Sequence, residues 1–123
     1  MTVQELYKAI DGDYEAAKRV MMMDAMIARY LPMLADDTSY GRLITAWENK
    51  DEKGIFEATH AMKGVCGNLG LTSLSKKASE LTEEFRPGQP RTLSDSEVAE
   101  KVEALKAQYD LTIEAIRAFQ KEG

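Results

Sequence analysis

Apolar residues recur at helical spacing along almost the whole chain, and only three prolines, Pro32, Pro87 and Pro90, interrupt them. A period near 3.6 is incompatible with a half-buried strand, whose faces alternate at every residue. The chain is therefore expected to be all-α. Proline and glycine gather only in Arg86-Pro87-Gly88-Gln89-Pro90-Arg91-Thr92-Leu93. There they stop a helix and keep the chain extended or turning, so residues 87–93 read as a linker loop.

Caps and stripes place the helices. Thr2 with Glu5 is a capping box for a short helix carrying Leu6 and Ile10. Asp11-Gly12-Asp13 is a turn, and Asp13 caps a second short helix ending at Met21. Met23, Met26, Ile27, Tyr30, Leu31 and Leu34 form the next stripe. Pro32 is expected to bend or end that helix without breaking the stripe. Asp37-Thr38-Ser39 caps a helix bearing Tyr40, Leu43, Ile44 and Trp47. Asp51 caps the next, which stops at Gly70, and another begins near Thr72 with Leu74, Ala78, Leu81 and Phe85 inward. Ser94-Asp95-Ser96-Glu97 opens a last helix about 40 Å long. The expectation is one domain over 1–123. Short N-terminal helices occupy 1–36, and helices 38–50, 51–69, 72–86 and 94–121 form an antiparallel up-down bundle.

Composition narrows the function. With 123 residues, 44% of them apolar, the chain can bury roughly two thirds of its unfolded surface without disulfides or metals. No stretch approaches the ~20 apolar residues of a membrane helix, and no signal peptide is visible. A net charge of −5 argues against nucleic acid. One histidine and one cysteine, Cys66 on the core side, leave no metal-ligand cluster. Met21-Met22-Met23 reads as core and helix junction, and Asp36-Asp37 and Glu83-Glu84 as solvated caps and faces. No phosphate-binding glycine loop is present, so no ATP site is expected.

The single histidine stands out by its position. On a helical wheel of 51–69, Ile55, Ala58, Met62, Val65, Cys66 and Leu69 share one side and His60 lies near the opposite pole. Lys63, Gly64 and Gly67, at i+3, i+4 and i+7, share its stripe. Each interior glycine costs the helix about 1 kcal/mol, with no packing gain foreseen. Bare backbone beside His60 would instead let another macromolecule bring its active site against the imidazole. Lys63 adds a flexible charge suited to a phosphoryl group. Phe56, at i−4, reads as an exposed docking aromatic.

The run His60-Ala61-Met62-Lys63-Gly64-Val65-Cys66-Gly67-Asn68-Leu69-Gly70 resembles the signature of histidine-containing phosphotransfer (HPt) domains. The resemblance extends through Leu71, Leu74 and Ala78–Leu81, and back to Asp51–Phe56 and Asp13–Asp37. It implies a four-helix bundle in which His60 is phosphorylated at a ring nitrogen, usually Nε2. The donor would be a receiver-domain aspartate or a histidine kinase, and the acceptor a response-regulator receiver. It implies charge stabilisation by Lys63 and room for the receiver at Gly64. It implies no cofactor in the chain itself, with magnesium in the partner receiver, and a cytoplasmic setting. An exposed imidazole is largely neutral at pH 7, so its free nitrogen attacks without a general base.

Many family members carry a glutamine that bonds the histidine region from the following helix. Counting outward from the turn at Gly70–Leu71 puts Leu81 and Thr82 level with His60. Thr82, with Ser79 nearby, is thus the expected substitute neighbour, and Arg86 lies level with Phe56 as a possible anion contact. Lys77, level with Gly64, would contribute if it turned outward. Two other readings remain: a non-catalytic helical adaptor for receiver or kinase domains, and a phosphoacceptor domain excised from a larger hybrid kinase.

Overall fold

Seven α-helices and one 3₁₀ turn follow from these signals. In the computed structural model, which describes residues 1–122 and leaves Gly123 outside, they are α1 (Val3–Ala9), α2 (Tyr14–Met21), α3 (Asp24–Tyr30), a 3₁₀ turn (Leu31–Asp36), α4 (Ser39–Glu48), α5 (Glu52–Asn68), α6 (Thr72–Glu84) and α7 (Asp95–Glu122). No described residue is in a strand. Both capping boxes form: Thr2 with Glu5, and Ser94 with Glu97. Pro32 ends the α-helix at Tyr30, and the chain tightens into the 3₁₀ turn. The stripe survives the change, since Ile27, Leu31 and Leu34 are all buried.

Helices α4 to α7 make the antiparallel bundle. Leu43, Ile55, Met62, Leu74, Leu81 and Leu105 are among its fully buried side chains. Tyr40 of α4 stacks on Tyr109 of α7 at 3.7 Å, linking the first and last bundle helices. The short N-terminal helices close one end. Buried Tyr7 donates to the Leu69 carbonyl at 2.6 Å, and Gln108 Nε2 to the Ile10 carbonyl at 2.9 Å. Gly70, at φ +70°, ends α5 and accepts a hydrogen bond from Asp13 N. A Cβ there would stand 2.6 Å from the Asp13 carbonyl oxygen, so side chain and close approach are mutually exclusive.

Two sequence expectations fail here. Met22 and Met23 are 74% and 55% exposed, at a junction where Met22 takes φ 77°, so of this run only Met21, half-buried against the core, keeps the expected core role. Glu84 is buried rather than solvated. Its carboxylate accepts from Arg91 Nε, Thr92 N and Leu93 N at 2.9 Å and from Thr92 Oγ1 at 2.7 Å. Arg91 also pairs with Glu52 at the start of α5, so Glu84 pins the 87–93 loop across the bundle end.

Burial pushes the Glu84 carboxyl up, but the hydrogen bonds from Leu93, Thr92 and Arg91 outweigh it and hold the group at about 2. A carboxyl depressed on folding contributes stability above its unfolded value of 4.5 and loses it as pH falls through the folded value. Acidification from about pH 5 to pH 2 is expected to remove about 2 kcal/mol at this site, allowing for solvent screening at the loop. Denaturant unfolding across that range checks this. Glu84→Gln should flatten the acid slope, and an unchanged slope would discount the anchor.

Candidate functional site

Helix α5 is set by its two ends. Asp51 accepts from Gly54 N at 3.0 Å and caps it, directly after the α4–α5 turn. Gly70 ends it. Between them Ile55, Ala58, Thr59, Met62 and Cys66 face the core. Cys66 is 0% exposed, and burial pushes its thiol up to about 12, so it is not a competing nucleophile. His60 is exposed on the opposite side, where the wheel places it.

Around His60 the structure gathers most of the expected residues, with changed roles. Phe56 is half-buried rather than exposed. Its inner edge packs on the core, and its ring stacks with the imidazole at 5.8 Å between centroids and 20° between planes. Arg86 places its guanidinium carbon 5.5 Å from the same ring. Lys63 is partly exposed and enters none of the ion pairs among the described residues. Gly64 is exposed, and a Cβ built on it meets nothing within 4 Å. Neighbouring packing therefore does not require glycine there.

Gly67 is also exposed, and a Cβ there would lie 3.7 Å from Ser75 Oγ on α6. Ser75 Oγ donates to the Lys63 carbonyl at 3.1 Å, and a Cβ at Gly67 would meet that hydroxyl in ordinary van der Waals contact, so helix packing does not require glycine there either. Ser75 was invisible in the sequence, where a serine in a polar run carries no sign of its partner.

Thr82 is corrected too. It is 0% exposed, and its hydroxyl, with one proton to give, lies within hydrogen-bond distance of Thr59 Oγ1 at 3.0 Å and of the Ala78 carbonyl at 2.9 Å. Thr59 in turn donates to the Ile55 carbonyl at 2.7 Å. The pair ties α6 to α5 one residue before His60, from inside the core. Lys77 does not reach the site, because its ammonium bonds Ser73 at 3.2 Å. The flanking lysine of α6 is Lys76, which lines a polar groove with Lys63, Gly67, Ser79 and Glu83.

Glu83 also proves part of the site. Its carboxylate takes two hydrogen bonds from Arg86, from Nη2 at 2.7 Å and Nε at 3.1 Å. The Arg86 hydrogen bonds and charge hold this carboxyl below the usual range, and Lys63 and His60 pull it the same way. On the other flank of α5, Val65 and Leu69 join Met21, Tyr30, Met33 and Leu34 in an apolar groove of about 540 Å³. The exposed face of α5 thus presents an accessible imidazole and an unpaired lysine over open ground. A mixed-charge groove flanks it on one side and an apolar groove on the other.

Among the described residues, no group of His, Cys, Asp and Glu side chains is arranged to hold a metal ion, and no helix is long and apolar enough to cross a membrane. Comparison with protein families matches residues 26–119 to the Hpt domain. No curated protein and no solved structure matches the chain.

Proposed function

The chain belongs to the Hpt domain family, a family of phosphocarrier modules that interact with receiver and kinase domains of two-component systems, and from that membership we propose that His60 is its phosphoacceptor. The observation that carries this reading is the exposed imidazole beside Lys63 and open Gly64. On this reading the chain takes a phosphoryl group from a receiver aspartate or a histidine kinase and passes it to a response-regulator receiver.

Phosphoryl transfer depends mainly on positioning and charge stabilisation. The lone pair of Nε2 attacks the phosphorus of the partner's aspartyl phosphate. The N–P bond forms as the P–O bond breaks, and that electron pair leaves on the aspartate carboxylate. The ring proton stays on Nδ1. Phe56 stacking limits how the imidazole turns, and Lys63 offsets charge on the transferring oxygens. Gly64 lets the receiver backbone come close. The magnesium ion and the remaining catalytic groups belong to the receiver, so this chain supplies nucleophile, lysine and shape. The polar groove by Ser79 and the apolar groove by Val65 extend the docking face beyond Gly64 and Gly67.

Incubation with a phosphorylated receiver, or with a histidine kinase and ATP, is expected to yield acid-labile, base-stable protein phosphate. None forming with any receiver or kinase of the same genome would overturn the reading. Lys63→Ala should slow transfer roughly 10- to 100-fold by removing one charge contact from the transition state. Its unfolding midpoint should stay unchanged, because the ammonium pairs with nothing in the fold. An unaltered rate in stopped-flow measurements would take Lys63 out of the mechanism.

A further inference from the structure

Four side chains stand in series across the α5–α6 surface. His60 stacks on Phe56 at 5.8 Å, the Arg86 guanidinium lies 5.5 Å from that same ring, and Glu83 holds the guanidinium with two hydrogen bonds. Resting on the reading of His60 as phosphoacceptor, we propose that Glu83 and Arg86 form a latch that opens on phosphorylation, when Arg86 leaves Glu83 and pairs with the phosphoryl oxygens on His60.

In the unphosphorylated protein Glu83 neutralises Arg86, and its charge acts on Lys63 and His60 as well. A carboxylate beside the acceptor opposes an incoming anion. A phosphoryl group adds nearly two negative charges at the imidazole. It repels Glu83 and attracts Arg86 across one ring. The existing pair yields readily, since its partners are 36% and 54% exposed and Arg86 stands just past the end of α6, outside the helix that carries Glu83. The guanidinium fork matches phosphoryl oxygens better than a lone ammonium does, and Phe56 already supports its planar face. Once released, the exposed Glu83 carboxylate is free to turn into solvent, away from the phosphoryl group, as Arg86 arrives. The exchange therefore stabilises the phosphorylated form selectively, and leaves a docking face of different charge pattern for the next receiver.

The test uses the full chain with ¹⁵N-labelled arginine, phosphorylated by phosphoramidate, a small donor that needs no partner. In wild type the Arg86 Nε–H resonance should shift on phosphorylation, and no shift should appear in His60→Gln treated alike. Arg86→Ala should shorten the phosphohistidine lifetime about 3- to 10-fold, with partial rescue by Arg86→Lys. Glu83→Gln should lengthen it. Phosphohistidine that forms with the Arg86 resonance unmoved, or with equal lifetimes in wild type and Arg86→Ala, overturns the latch alone. If wild type forms no phosphohistidine, the acceptor reading falls and the latch falls with it.

Discussion

His60→Gln is expected to abolish phosphoryl acceptance while leaving the bundle as stable as before. Glutamine offers only an amide nitrogen, whose lone pair is delocalised and cannot attack phosphorus. The buried nucleophiles nearby do not replace it. Cys66 is buried with its thiol pushed up to about 12, and Thr59 and Thr82 are buried and engaged with each other. Labelling should fall below detection with phosphorylated receiver and with phosphoramidate alike. The imidazole is exposed and contacts mainly Phe56, so the stability change should stay within about 0.5 kcal/mol. Acid-labile phosphate and a thermal melt, measured on the same preparation, check both halves. Labelling at the wild-type level in His60→Gln would place the acceptor elsewhere.

Gly64→Leu is expected to separate docking from chemistry. Glycine inside an exposed helix costs about 0.8–1.0 kcal/mol against a good helix former. Nothing within 4 Å opposes a Cβ at this position. The variant should therefore melt a few degrees higher than wild type. Leucine four residues after His60 also stands on the ground a receiver must cross, one turn along the same face. Transfer from a phosphorylated receiver should fall about 100-fold or more, because reacting atoms held an ångström too far apart lose the gain of positioning. Phosphoramidate, which needs no docking, should label the variant at the wild-type rate. A more stable protein that transfers normally would show that the open ground at Gly64 is not a docking surface.

Local order was largely legible in the chain. Both capping boxes, the Gly70 stop and the opposite placement of His60 and the core stripe follow from a repeat of 3.6 residues and from short-range hydrogen bonds. Partners that lie across the bundle were not. Counting from the turn placed Thr82 at the height of His60, but height does not set the angle around the helix, and Thr82 turns inward to Thr59. Glu83 and Glu84 look alike as an acidic pair. Successive helical residues point about 100° apart, so one meets Arg86 beside the histidine and the other is buried under the returning loop. Gly67 is exposed as the wheel places it, but only the fold brings Ser75 of α6 beside it.

The sequence by itself determined the helices, the bundle they form and the face on which His60, Lys63 and Gly64 stand, because each depends on spacing within one helix. Only the tertiary structure decided what surrounds that face. The Arg86 guanidinium against Phe56, the Thr82–Thr59 pair and the Ser75 bond to the Lys63 carbonyl join residues whose separation along the chain says nothing of their distance. Core packing sets the rotation of α6 against α5, and that rotation selects which α6 side chains border the histidine and which are buried beneath it.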